Sequence, residues 1–317
     1  MQPLYLPVVV PDGPADGGAT DTRFAILHRP AAAPRSLVVY AHPLGEEMNK
    51  SRRMVAMQAR ALAAAGHAVL LPDLLGCGDS PGDCGDASWD GWVDEIATAA
   101  RWLRDAAAGW TADAGATPAA PATSATSAAP AAPPLVLWGL RAGALLAVAA
   151  AARLGTVQQL LLWQPASSGR TILQQFLRLQ AAAQLLGREG DAAGADALRT
   201  RLAAGETVEV AGYRLAPALA QGLEQARLTP VTGVQRLHWM ESSLREPAAL
   251  SPAAGPVIAA WQQDGCEVLP QVVAGPPFWQ TTEIEDAPAL IAATLAALDR
   301  PWAPAGAHPA PAAPVPA

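Results

Sequence analysis

Apolar positions along the chain fall into two alternating rhythms. Short, nearly continuous apolar runs (Phe24–Arg29, Ser36–Ala41, His67–Leu71, Leu135–Trp138 and Gln159–Trp163) read as strands. Runs apolar on both faces belong inside a parallel sheet. Between them lie segments with apolar residues three and four apart: Asn49–Ala65, closed by Gly66; Trp89–Arg104; and a helix opening at Gly139-Leu140-Arg141-Ala142-Gly143. This β-α-β-α succession predicts an α/β fold, a mainly parallel sheet flanked by helices.

The rhythm breaks between 170 and 235. That region carries a helix at Thr171–Leu186, another around Asp196–Ala203, and a hairpin T-V-E-V-A-G-Y-R-L turning at Ala211-Gly212. It resumes with Arg236–Met240, Val268–Val273 and a closing helix Ala287–Leu298. The expected division is a core of 1–169 and 236–300 with 170–235 inserted as a cap. Two Ala/Pro/Ser/Thr tracts, 106–134 and 301–317, lack a periodic apolar face that could offset their ordering entropy. They read as a flexible loop and a disordered tail.

Composition narrows the function classes. Of 317 residues 51% are hydrophobic and 15% charged, enough apolar material for a sizeable core. Lys and Arg number 21 against 28 Asp and Glu, a formal charge of −7, and Lys50 is the only lysine. Such a balance excludes nucleic acid as the expected partner, because phosphates need clustered positive charge. Three cysteines (Cys77, Cys84, Cys266) are too few and too scattered for a disulfide framework or a metal cluster. The start lacks the marks of a secretory signal, and the longest apolar run, Ala142–Ala152, falls short of a bilayer's width. The expectation is a soluble, cytoplasmic chain with no integral membrane segment, no metal and no cofactor.

Three motifs carry the chemistry. Asp73-Leu74-Leu75-Gly76-Cys77-Gly78-Asp79-Ser80 follows a strand and matches the D-x-x-G-x-G-x-S loop of α/β-hydrolases, in which Gly76 and Gly78 serve turns and Ser80 is a turn residue. His42-Pro43-Leu44-Gly45, also at a strand end, resembles an oxyanion loop; Pro43 lacks an N–H, but Leu44 retains one. Gly139-Leu140-Arg141-Ala142-Gly143 stands in the strand–elbow–helix context of G-x-S-x-G. Arginine holds the nucleophile position, and a guanidinium cannot attack a carbonyl. Nor does a histidine follow the last strand, where the chain reads V-V-A-G-P-P-F-W. A serine–histidine–acid apparatus is absent.

E-E-M-N-K-S-R-R-M, D-L-L-G-C-G-D-S, W-G-L-R-A-G-A-L-L-A, L-L-L-W-Q-P and G-P-P-F-W together resemble the exosortase A system-associated hydrolases, type 2. The resemblance spans Phe24 to Leu298. It implies an α/β-hydrolase fold, a hydrolase name, and a link to bacterial exopolysaccharide and protein-sorting systems. It also implies that G-L-R-A-G is the family's own elbow.

Three readings follow. In one, a carboxylate at a strand end (Glu46, Glu47, Asp73, Asp79 or Glu241, the last where a triad acid would stand) activates water. In another, the site is inactive and Arg141, at a helix N-terminus, binds an anionic or acyl ligand or a protein partner. In the third, Arg141 is structural, paired with Glu46, Glu47 or Glu241. Trp163, Trp239, Phe278 and Trp279 fall near strand ends and are candidates to wall a pocket; core packing is their alternative role. Lys50, Arg52 and Arg53 cluster at the first turn of their expected helix: a solvated turn is the default reading and an anion site or interface the sharper one, while their position against the dipole suits pairing with Glu46 and Glu47.

Overall fold

A computed structural model describes residues 1–8, 21–113, 132–185 and 194–301. Among the described residues there are ten strands and eight helices. The sheet strands are β1 (Gln2–Val8), β2 (Asp21–His28), β3 (Leu37–Ala41), β4 (Ala68–Pro72), β5 (Leu135–Leu140), β6 (Gln159–Trp163), β9 (Arg236–Ser243) and β10 (Glu267–Ala274). Their spatial order is β1-β2-β4-β3-β5-β6-β9-β10. From β4 to β10 all neighbours are parallel, while β2 runs antiparallel to β4 and β1 to β2. Pro3 and Pro7 fit β1 because an edge strand need not donate on its open side.

The central strands bury both faces. On one, Val38, Tyr40, Trp138, Leu161 and Trp163 pack beneath α1 (Glu46–Ala64) and α8 (Pro288–Asp299). On the other, Val39, Leu137, Leu160 and Leu162 meet α2 (Trp89–Asp113), α3 (Ala142–Leu154) and α7 (Ala254–Gln263). The segment after β6 holds α4 (Gly169–Leu185), α5 (Ala195–Ala203), the antiparallel pair β7 (Val208–Val210) and β8 (Tyr213–Leu215), and α6 (Pro217–Gln225). The hairpin turns at Ala211 (φ 49°) and Gly212 (φ 89°), as two successive positive φ angles require in a two-residue turn.

Two expectations need correction. The tract read as loop from 106 is helical as far as Asp113: its alanines favour helix, Ala107 is buried, and Arg29 stacks 4.6 Å over the Trp110 ring. Residues 114–131 of that tract and the tail beyond 301 lie outside the described residues. The first long helix starts at Glu46, not Asn49, with Gly45 (φ 58°) at its N-cap. Its first turn is therefore acidic and complements the dipole. Arg52 and Arg53 pair with Asp73 and Asp286 instead of Glu46 and Glu47, because they lie further along the helix on other faces.

Candidate functional site

Arg141 sits on the turn between β5 and α3 with φ 56° and ψ −115°, a conformation L side chains rarely adopt. The turn is held from all sides. Arg141 N–H donates to the Trp163 carbonyl at 3.1 Å, and its own carbonyl accepts from Ala144 N–H at 3.1 Å. Glycines flank it because no Cβ fits. One added to Gly143 would lie 2.0 Å from the Ala41 carbonyl oxygen, and one on Gly139 would lie 2.5 Å from that of Gly143. Leu140 and Ala142 are buried on either side. As α3 begins at Ala142, the N–H groups of Ala142 and Gly143 precede the helix's own acceptors, and the helix N-terminus places positive potential at the turn.

The Arg141 side chain joins three parts of the fold. Nε donates to Glu47 Oε1 at 3.1 Å, in the first turn of α1, and Nη2 donates to Gln175 Oε1 at 2.9 Å, on α4. Burial raises the Glu47 carboxyl above its ordinary range, and the attraction of Arg141 offsets this only in part. These two contacts use two of the five guanidinium donors. Among the described residues no protein acceptor takes the others.

Above Arg141 opens a cavity of about 430 Å³. Its apolar lining comes from Leu44, Ile172, Phe176, Leu179 and Trp279, and its polar lining from Glu46, Glu47, Lys50, Gln164, Gln175 and Gln280. Phe176 seats α4 on the loop after β3, so closely that a Cβ on Gly45 would come within 2.8 Å of its ring. At the rim, Tyr213 donates to Glu46 Oε2 at 2.6 Å, and Asn49 donates to Tyr213 Oη at 2.9 Å. Burial and the Glu46 carboxylate both raise the Tyr213 phenol, which keeps its proton.

Other sequence-picked residues lie elsewhere. His42 is buried and edge-on to Trp92. Leu74 N–H donates to its Nε2 at 3.4 Å, so the proton resides on Nδ1, which donates to the Pro43 carbonyl at 2.8 Å. Burial lowers its pKa and keeps the ring neutral. Asp73 is bound by Arg52 Nη2 at 3.3 Å and by Asp79 N–H at 2.9 Å, and with His42 it borders a separate cavity of about 170 Å³. Ser80 Oγ accepts from Phe24 N–H and donates to the Asp73 carbonyl, the behaviour of a turn residue. Glu241 is buried under three hydrogen bonds, from Trp239 Nε1 at 2.8 Å, Ser251 N–H at 2.7 Å and Ser251 Oγ at 2.9 Å. That carboxylate anchors the 251 turn and does not line the Arg141 cavity.

Of the four aromatic wall candidates, Trp279 alone reaches the cavity. Trp163 and Phe278 are core residues in an aromatic row with Tyr40 and Trp138, and Trp239 is buried against the opposite face. A strand end leaves its side chain on whichever sheet face the alternation dictates, and here both faces are covered by helices. Sequence reasoning missed the α4 contribution. Its signal was present: Ile172, Gln175, Phe176 and Leu179 are three and four apart and share one helix face.

No family model matches the chain, and no curated protein matches it. Among solved structures it is similar to Est1E from Butyrivibrio proteoclasticus with ferulic acid bound, at 16% identity and a TM-score of 0.53, covering 93% of this chain and 96% of that one. A lipase in open form matches at 19% identity and a TM-score of 0.53, over 88% and 94% of the two chains. DcsB in complex with a substrate analogue matches at 13% identity and a TM-score of 0.52, over 94% and 98%. The chain has the α/β-hydrolase fold. No helix among the described residues is long and apolar enough to cross a membrane.

Proposed function

We propose that this α/β-hydrolase-fold protein binds an anionic amphiphile, a carboxylate or phosphate head on an apolar body, at the Arg141 cavity, and does not use serine–histidine–acid chemistry. The observation that carries the reading is the guanidinium on the elbow, with donors left for a ligand beneath an apolar wall. A planar fork suits bidentate recognition of such heads. The α3 N-terminus adds to it, and Lys50 supplies a second cation on the lining. On this reading segment 170–235 is the cap that covers the ligand. The resemblance to exosortase A system-associated type 2 hydrolases supports a place beside bacterial exopolysaccharide or protein-sorting machinery in the cytoplasm.

Thermal melts of the whole chain with inorganic phosphate, butyrate, octanoate and dodecanoate test it. A rise in Tm that grows with chain length and is lost in Arg141→Ala supports the reading. Melting unaffected by all four, or a shift that survives Arg141→Ala, overturns it.

One observation favours a second reading, hydrolysis with a carboxylate as base. Glu47 borders the cavity, and burial lifts its pKa toward the range useful for proton transfer. Turnover of p-nitrophenyl esters abolished by Glu47→Gln would support it; no turnover above background, or turnover indifferent to that change, would reject it.

A further inference from the structure

The loop after β4 brings two cysteines together away from the Arg141 cavity. Cys77 Sγ and Cys84 Sγ lie 3.8 Å apart. Their approach follows from the backbone. At Gly76 (φ 72°) a Cβ would come within 2.2 Å of the Asp83 carbonyl carbon and 2.3 Å of Cys84 N, so only glycine lets the two arms of the loop touch. The arms are tied by Gly76 N–H to the Pro81 carbonyl at 3.0 Å and Ser80 N–H to the Cys77 carbonyl at 3.1 Å. Cys77 is buried, whereas Cys84 is half-buried and follows Asp83, whose Oδ1 lies 3.7 Å from Arg214 Nη1 on the β7–β8 hairpin.

We propose that Cys77 and Cys84 are a dithiol site that closes reversibly to a disulfide by exchange with a low-molecular-weight disulfide. The sulfurs must approach from 3.8 Å to about 2.05 Å, a movement within reach of an eight-residue turn already closed on itself. The order of steps follows from the surroundings. Cys84 is the less buried of the two, and its Sγ also donates to the Gly76 carbonyl at 3.2 Å. Cys77 is raised by its contact with Cys84 and by burial, beside Asp73 and Glu95. Cys84 thiolate attacks one sulfur of the small disulfide RSSR, forming a mixed disulfide and expelling one thiolate RS⁻. Cys77 then gives up its proton and attacks the Cys84 sulfur, expelling the second RS⁻. The two thiolates take up the two protons lost by the protein. The balance is two protein thiols plus RSSR giving one protein disulfide plus two RSH. Two electrons pass from protein to the small disulfide.

Cys266 is an internal control. It is buried apart from the pair, and burial pushes its thiol up to about 12.

The whole chain is equilibrated in buffers of reduced and oxidised glutathione, quenched with acid, alkylated in denaturant and mapped by mass spectrometry. Across the series the alkylatable thiols are expected to fall from three to one, Cys266, with a peptide cross-linked between 77 and 84 that dithiothreitol reopens. Cys77→Ser is expected to stop at a glutathione adduct on Cys84. Should Cys77→Ser fail to fold, alkylation rates of the native wild type serve instead, with Cys84 reacting at least tenfold faster than Cys77 and Cys266. Three thiols surviving the most oxidising buffer, an adduct on Cys84 with no 77–84 link, a disulfide that includes Cys266, or equal native rates would each overturn the proposal.

Discussion

Arg141 and Glu47 face each other across the elbow, Nε to Oε1 at 3.1 Å, with side chains 15% and 24% exposed. One edge of the guanidinium is thus committed to the protein, and the pairing does not consume the whole fork. The side chain can brace α1 and α4 and still offer donors upward. On the binding reading proposed above, structure and recognition draw on different N–H groups.

Replacing Arg141 separates two effects. Arg141→Ala is expected to cost about 1.5–3 kcal/mol, the scale of hydrogen bonds to charged groups. This is less than for a fully sealed pair, because Glu47 keeps some contact with water. Arg141→Gly loses the same bonds but relaxes the φ of 56°, so it is expected to be about 1 kcal/mol more stable than the alanine variant. Chemical denaturation of both measures the difference; glycine no better than alanine would mean that the turn stores no strain.

Fluorophosphonate probes are expected to leave every serine unlabelled. Arg141→Ser is expected to create no efficient esterase either, since the segment after β10 ends in Phe278 and Trp279 and the His42 ring is occupied by Pro43 and Leu74. Stoichiometric labelling by gel or mass spectrometry would show that a nucleophile had been overlooked.

Acid sensitivity is expected to trace to His238. Burial beside Arg236 lowers its pKa to about 4, against an ordinary 6.5. The folded ring is neutral, so its contribution is fully present above 6.5 and is lost as pH falls toward 4, when the unfolded chain binds the proton more tightly. The loss is about 3 kcal/mol across that window. His238→Gln should flatten the decline in unfolding free energy between pH 7 and 4; an unchanged decline would place the acid sensitivity elsewhere.

Glu47 has the opposite sign. Its carboxyl is raised, so the stability it contributes is complete below its unfolded pKa and lost as pH climbs through the folded one. Glu47→Gln is expected to remove that descending limb, read as a change of slope in Tm against pH, apart from any offset due to the lost ion pair. A slope identical to wild type would argue that Glu47 is not desolvated.

Local signals were legible where one short segment decides. The span Gln159–Trp163, the Ala211-Gly212 turn and the elbow at Arg141 depend on neighbours in sequence. The α1 start was hidden because Glu46 and Glu47 read as loop acids until Gly45 is seen with φ 58°. Pairings across long separations were open. Glu47 was one of three acids offered to Arg141, and Gln175, 34 residues away on α4, was not among its expected partners. The aromatics divide for a different reason: Trp163, Trp239 and Phe278 have the composition of a pocket wall, but side-chain alternation and helix cover send them inward to the core role that was their alternative, while Trp279 reaches the cavity.

The close contacts of Gly139 and Gly143 carry a consequence beyond the present side chain. Main-chain crowding against Ala41 and Ala144 sets the elbow's shape. Neither contact involves the group borne at 141. The turn is a socket: it holds whatever is fitted at its apex at the same height and angle above the sheet. On the binding reading proposed above, exchange of that one fitting turns a place of attack into a place of grip while the frame around it stands.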